Sequence, residues 1–167
     1  MIGEIPQPVI LIVVLAAVLA VGAVLARNRT VVVRVPARYD SIRTLASLMG
    51  RVAGSARLGE QETFACRLAL DEACVNIIEH AYANRSSGEI EVMIQTGPGI
   101  CTICLTDFGE PYDPQQVAQP RFGGSLEDAS PGGLGLYLMR TMMDDVQYVV
   151  SPYGNSLIMV KRSSLPT

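Results

Sequence analysis

Glu72, Asn76 and His80 are spaced i, i+4 and i+8 along a run that reads as one helix, which brings all three onto a single stripe flanked by apolar positions. Burying three polar groups on such a face is costly unless they have partners. A solvated helix face accounts for the stripe as well as a site does. Asp107 follows a strand-like run directly and precedes Phe108-Gly109, while Gly132-Gly133-Leu134-Gly135-Leu136 leads into a helix. Gly-rich turns at helix N-termini offer free backbone N–H groups and the positive end of a dipole, an arrangement that suits phosphates, although glycine also simply makes tight turns.

The elements that must position these residues follow from periodicity. Thr30 to Val35 is β-branched and strand-like, and Pro36 ends it. Asp40 or Ser41 can cap a helix whose apolar positions Ile42, Leu45, Met49 and Val52 recur at helical spacing, with Gly54 and Gly59 near its far end. A second helix is predicted from Glu60 to about Ala83, broken by Ser86-Ser87-Gly88. Strands Glu89 to Thr96 and Ile100 to Thr106 form a hairpin across Gly97-Pro98-Gly99. Phe108 to Pro131 has no periodic apolar pattern and reads as a long surface loop, a length that is usually functional or mobile. A short helix from Leu134 to about Met143 and a last hairpin, Val146 to Ser151 and Ser156 to Arg162, complete the chain. The order β-α-α-β-β-α-β-β implies an α+β fold, a two-layer sandwich with helices on one face of a mixed sheet.

Composition narrows the chemistry. Of 167 residues, the first 30 are nearly free of charge, and the rest suffice for one domain with a real core. Thirteen basic against 16 acidic side chains become 11 against 15 once Glu4, Arg27 and Arg29 are set aside, a net charge of -4 for residues 31 to 167. That sign disfavours direct binding to nucleic acid. Lys161 is the only lysine and lies in a strand-like run, so neither a Walker-type P-loop lysine nor a protein-kinase strand lysine is present. Cys101 and Cys104 have a zinc-like spacing, but alternation along a strand points them to opposite faces, and half-buried thiols in a reducing compartment are the expected reading of all four cysteines.

Val9 to Ala26 contains only Val, Ile, Leu, Ala and Gly22. At about 1.5 Å per residue this run reaches roughly 27 Å, close to the hydrocarbon thickness of a bilayer. Glu4 is the only charge before it, whereas Arg27 and Arg29 follow directly, which argues against a cleaved signal and places the body in the cytoplasm. A buried core helix or a non-native leader is the other reading. The division expected is a tail over 1–8, a transmembrane helix over 9–26, a linker over 27–30 and one domain over 31–167.

Taken together and in this order, Glu72-Ala-Cys-Val-Asn76-Ile-Ile-Glu-His80-Ala81-Tyr82, Asp107-Phe-Gly109-Glu-Pro111 and Gly132-Gly133-Leu134-Gly135-Leu136 resemble the N, G1 and G2 boxes of the GHKL (Bergerat-fold) ATPases. Met143-Asp144-Asp145-Val146 and the closing run to Lys161 bring the likeness nearest to the anti-sigma factor serine kinases, over about residues 31 to 162. The resemblance implies a pocket for ATP and Mg²⁺. Asn76 would ligate the metal, Glu72 would act as general base, and Asp107 would accept from the exocyclic amine of adenine beside Gly109. Gly132, Gly133, Leu134, Gly135 and Leu136 would wrap the phosphates, and His80 would orient its neighbours or serve structurally. Arg121, in the loop, is the nearest cation for a phosphate oxygen, or an ordinary solvated arginine. Gly154-Asn155-Ser156 departs from the Gly-Thr pair common in relatives and puts the detail of adenine hydrogen bonding in question.

By the same likeness the function expected is phosphorylation of a Ser or Thr on an anti-anti-sigma, STAS-like protein, with sequestration of a sigma factor by partner switching and a homodimeric, membrane-tethered state. A nucleotide-gated binding module without useful catalysis, or a cytoplasmic protein without the anchor, are the alternatives. A sensor histidine kinase needs a phosphoacceptor His on a preceding helix, and the only His here is His80.

Overall fold

The computed structural model describes residues 28–83, 87–111 and 133–164. Five strands, β1 (Arg29–Pro36), β2 (Glu89–Gly97), β3 (Ile100–Asp107), β4 (Asp145–Ser151) and β5 (Gly154–Arg162), form one sheet in the order β1-β2-β3-β5-β4. Helices α1 (Tyr39–Ala53), α2 (Glu60–Asn76) and α3 (Gly133–Met142) cover one of its faces. The two-layer α+β arrangement matches expectation, but the mixed sheet does not: all four strand pairings are antiparallel. The reason is connectivity. β2–β3 and β4–β5 are two-residue hairpins, and the α3 connection returns the chain beside β5 on the outer edge, so no parallel crossover is made.

Alternation along the strands sets the core. Ile90, Val92 and Ile94 of β2, Ile103 and Leu105 of β3, and Leu157 and Met159 of β5 are buried beneath the helices, each contributing about 1.5–3 kcal/mol relative to exposure. Leu45, Met49 and Val52 of α1, Ala69, Leu70 and Ala73 of α2, and Leu136 and Met139 of α3 close on them. Cys101 is buried on the helix side of β3 while Cys104 lies on the other, as strand alternation requires. In the Pro98-Gly99 turn Gly99 adopts a φ of 71°, which is why glycine stands there.

Several boundaries differ from expectation. α1 starts at Tyr39 after Arg38, with no side-chain cap; Asp40 falls in the first turn, where it favours the dipole, and Ser41 Oγ donates to the carbonyl of Pro36. Arg29 and Thr30 belong to β1 rather than to a linker. The second helix is α-helical only to Asn76, and Ile77–Ala81 widens into a π turn, with the Tyr82 N–H bonding the carbonyl of Ile77 at 3.1 Å. Among the described residues no helix is long and apolar enough to cross a membrane. The apolar run Val9 to Ala26, the tail before it, Arg121 and Gly132 lie outside the described residues.

Candidate functional site

Two of the three sequence stretches meet on α2. α3 lies along that helix, and Gly135 sits so close to it that a Cβ there would overlap the Oε2 of Glu72. At the far end of α2 the turn after β3 is pressed onto the π turn. A Cβ on Gly109 would overlap the backbone carbonyl of Ala81, to which the Glu110 N–H donates at 2.9 Å. Glycine at 109 is therefore a packing requirement, since the clash is with backbone, whereas at 135 it leaves room for the Glu72 carboxylate.

Between these contacts opens a cleft. Asn76 and Asp107 are its polar points, and Ala73, Ile77, Ala81, Leu136, Met139, Tyr148 and Leu157 make the walls. A mostly apolar slot with one carboxylate and one amide suits a flat ring recognised along its edge. Leu136 thus reaches the cleft, whereas Leu134, two residues earlier, is exposed, and Gly133 begins α3. His80, in the π turn, is half-buried and does not line the cleft.

Asp107 is only 3% exposed, and its carboxylate is held by donors from two elements. The Gly109 N–H donates to Oδ1 at 2.9 Å and Asn155 Nδ2 donates to the same oxygen at 3.0 Å. Asn155, also 3% exposed, makes a second bond to the Gly109 carbonyl at 3.2 Å. With Oδ1 so occupied, Oδ2 is the oxygen left to accept from a ligand. Burial pushes the Asp107 carboxyl upward, and the bonds from Asn155 and Gly109 pull it part of the way back. Asn155, a departure from pattern in the sequence, is therefore a site residue that sequence reading missed. Tyr82 is another: its hydroxyl donates to the Glu89 carbonyl at 2.7 Å and accepts from the Phe108 N–H at 3.1 Å, fixing the turn that carries Asp107.

Removing the Asn155 amide by Asn155→Ala should weaken adenine-nucleotide binding by about tenfold or more, since a hydrogen bond to a charged group contributes about 1.5–3 kcal/mol. The loss should be greater at lower pH, because the Asp107 carboxyl then takes up a proton more readily. Calorimetric titrations of both proteins across pH check this; pH-independent, parental affinity would refute it.

The base candidate has its own electrostatics. Burial raises the pKa of Glu72, and the negative charges of Asp71 and Glu79 raise it further, making the carboxylate a better proton acceptor. Asp71 is raised by burial, with Arg67 partly opposing, and its Oδ1 finds no hydrogen-bond partner among the described residues. A folded-state pKa above the unfolded one means that the ionised group costs stability above the folded pKa and that the cost vanishes as pH falls below the unfolded value of about 3.9. Asp71→Asn should accordingly melt higher than the parent at pH 7 and together with it in strong acid. It should also move the acid limb of any Glu72-dependent rate to lower pH. Thermal melts across pH test the first effect, and a limb that stays in place would refute the second.

Residues 35–161 match the family of histidine kinase-like ATPase domains. That span is most of the chain and contains every element of the cleft. The chain belongs to this family. Within it, the protein is 33% identical to the serine/threonine-protein kinase BtrW of Bordetella bronchiseptica over 75% of this chain and 85% of that relative. It is 29% identical to the serine-protein kinase RsbW of Bacillus subtilis over 77% and 82% of the two chains. A solved structure of the RsbU and RsbW domains of Rv1364c from Mycobacterium tuberculosis shares the fold, with a TM-score of 0.59 at 18% identity. The alignment takes in 83% of this chain and 34% of that longer one.

Proposed function

We propose that this protein, a serine/threonine-protein kinase by its family, transfers the γ-phosphoryl group of ATP to a Ser or Thr of an anti-anti-sigma, STAS-like protein. In its other state it sequesters a sigma factor, so that phosphorylation controls which partner is held. The observation that carries the reading is that Asn76 of α2, Asp107 at the end of β3 and Leu136 of α3 line one apolar cleft, with Gly135 packed against Glu72 one helical turn before Asn76.

The donor set fits the ligands. Asp107 Oδ2 accepts from the adenine amine, while the apolar walls take the ring faces. Asn76 supplies an uncharged oxygen suited to Mg²⁺, which when bound neutralises phosphate charge. The N-terminus of α3, which opens at Gly133 after Gly132, would offer free N–H groups to the phosphates in place of a lysine, and Arg121 would be a further phosphate contact. Glu72, one turn before Asn76, accepts the proton of the attacking hydroxyl as its oxygen bonds the γ-phosphorus and ADP departs. His80 steadies the helix below the site. A homodimer is the expected assembly.

The run Val9 to Ala26 anchors the domain as a single span, with Arg27 and Arg29 keeping it on the cytoplasmic side. Incubation of the purified protein with radiolabelled ATP and its cognate antagonist should label the antagonist on Ser or Thr; ATP uptake without any transfer would refute the kinase reading. Membrane association should resist carbonate and disappear on deleting residues 1–26. A native protein recovered wholly in the soluble fraction would replace the anchor with the cytoplasmic alternative.

A further inference from the structure

The two ends of the sheet differ in charge, and the chain enters the fold at the basic one. Asn28 packs at Gly97, Arg29 pairs with Thr96, and Ser55 bonds Thr96 from the turn after α1. Arg162 pairs with Ile100, and Ser163 bonds both Gly99 and Arg57. Arg29, Arg51, Arg57 and Arg162 are thus gathered at this end, and all four are exposed. The acids there weigh less. Glu62 is buried and bonded by Ser164, Asp144 is paired with Lys161 and accepts from the Arg162 N–H, and Glu60 and Asp145 are the other acids, so five cations face four anions at this end.

The opposite end is acidic. Exposed Asp40, Glu79, Glu89 and Glu110 surround the turn that carries Asp107, with exposed Arg38 and Arg43 beside Asp40 among the described residues. β1, eight residues long, separates the two ends by about 26 Å at about 3.3 Å per residue. The Debye length at physiological salt is about 8 Å, so a charged surface touching one end does not feel the other. A body that is acidic as a whole can therefore be attracted to an anionic surface through this end alone.

We propose that the end bearing Arg29, Arg51, Arg57 and Arg162 docks on the anionic lipid headgroups of the membrane that holds Val9 to Ala26. The proposal rests on the anchor reading given above. Only Arg27 separates the apolar run from Asn28, so the tether delivers this end, and no other, to the bilayer. Cytoplasmic leaflets carry a negative surface potential that draws juxtamembrane basic residues. Docking turns the cleft away from the lipid and leaves its acidic rim open to soluble partners.

The protein contains no tryptophan, so single reporters are clean. The full chain is reconstituted in vesicles of phosphatidylcholine alone or in an equimolar mixture with phosphatidylglycerol, both carrying a headgroup-level quencher. Ile100→Trp at the basic end should be quenched in the anionic vesicles, with the quenching lost in high salt and in the Arg51→Glu/Arg162→Glu background. Tyr153→Trp at the far end should stay unquenched in both. Thr30→Trp repeats the near-end reading should Ile100→Trp fail to fold. A chain that floats with vesicles yet shows no dependence on anionic lipid, or equal quenching at both ends, overturns the docking face alone. A chain that does not float with either vesicle overturns the anchor, and the docking face with it.

Discussion

Glu72→Ala should lower phosphoryl transfer by about 10²–10⁴-fold, the usual contribution of a positioned general base, while ATP affinity stays within a factor of about two or three. The separation of the two effects follows from placement. Glu72 stands against Gly135 at the α3 end of the site, whereas the contacts expected to hold adenine come from Asp107 and the walls farther along α2. Truncation removes the proton acceptor and leaves those contacts in place. It also removes a carboxylate already made costly by burial and by Asp71 and Glu79, so the variant should be no less stable than its parent. Single-turnover transfer to the antagonist beside calorimetric ATP binding measures both quantities. Transfer at the parental rate would remove Glu72 from the chemistry, and loss of binding in step with transfer would make it a nucleotide ligand instead.

Gly109→Ala should damage fold and binding together. The new Cβ would strike the Ala81 carbonyl, which is backbone, tied into the π turn and bonded by the Glu110 N–H. Relief requires the turn to lift off the helix, and with it go the Gly109 bonds to Asp107 and Asn155. Overpacking of this kind costs about 1–3 kcal/mol, or several degrees in melting temperature for a chain of this size. Nucleotide affinity should fall by about 100-fold, since the adenine carboxylate loses its position. Gly135→Ala offers the contrast. Its Cβ would clash with the carboxylate end of Glu72, which can swing aside, and meets the Glu72 Cβ only at ordinary contact, so fold and binding should survive while transfer slows. Parental melting and binding for Gly109→Ala would show that the close approach at Ala81 does not matter to the site.

Much of this arrangement was legible in the chain itself, for definable reasons. Ile90, Val92 and Ile94 alternate with polar residues, and the two-residue turns at Pro98-Gly99 and Pro152-Tyr153 leave no choice but hairpins. Glu72 and Asn76 share a face because one helical turn separates them, whereas the close approaches of Gly109 to Ala81 and of Gly135 to Glu72 were not foreseen, since in the sequence both glycines read as serving the ligand. Strand direction across β3 and β5 was not legible, since it depends on where α3 returns the chain. Nor was the π turn at Ile77–Ala81, which no local propensity encodes and which takes His80 away from the cleft lining. Asn155 escaped for a related reason. Its meaning lies in the pairing of Asp107 with Asn155 across two strands, 48 residues apart in sequence, and not in its immediate neighbours.

Isothermal titration of the purified protein with ATP in the presence of Mg²⁺ is the most direct test of the account. Saturable binding, one nucleotide per chain, weaker for GTP and lost in Asp107→Ala, is the predicted result. A protein that melts cooperatively and takes up no adenine nucleotide would contradict the assignment of the cleft and the mechanism built on it.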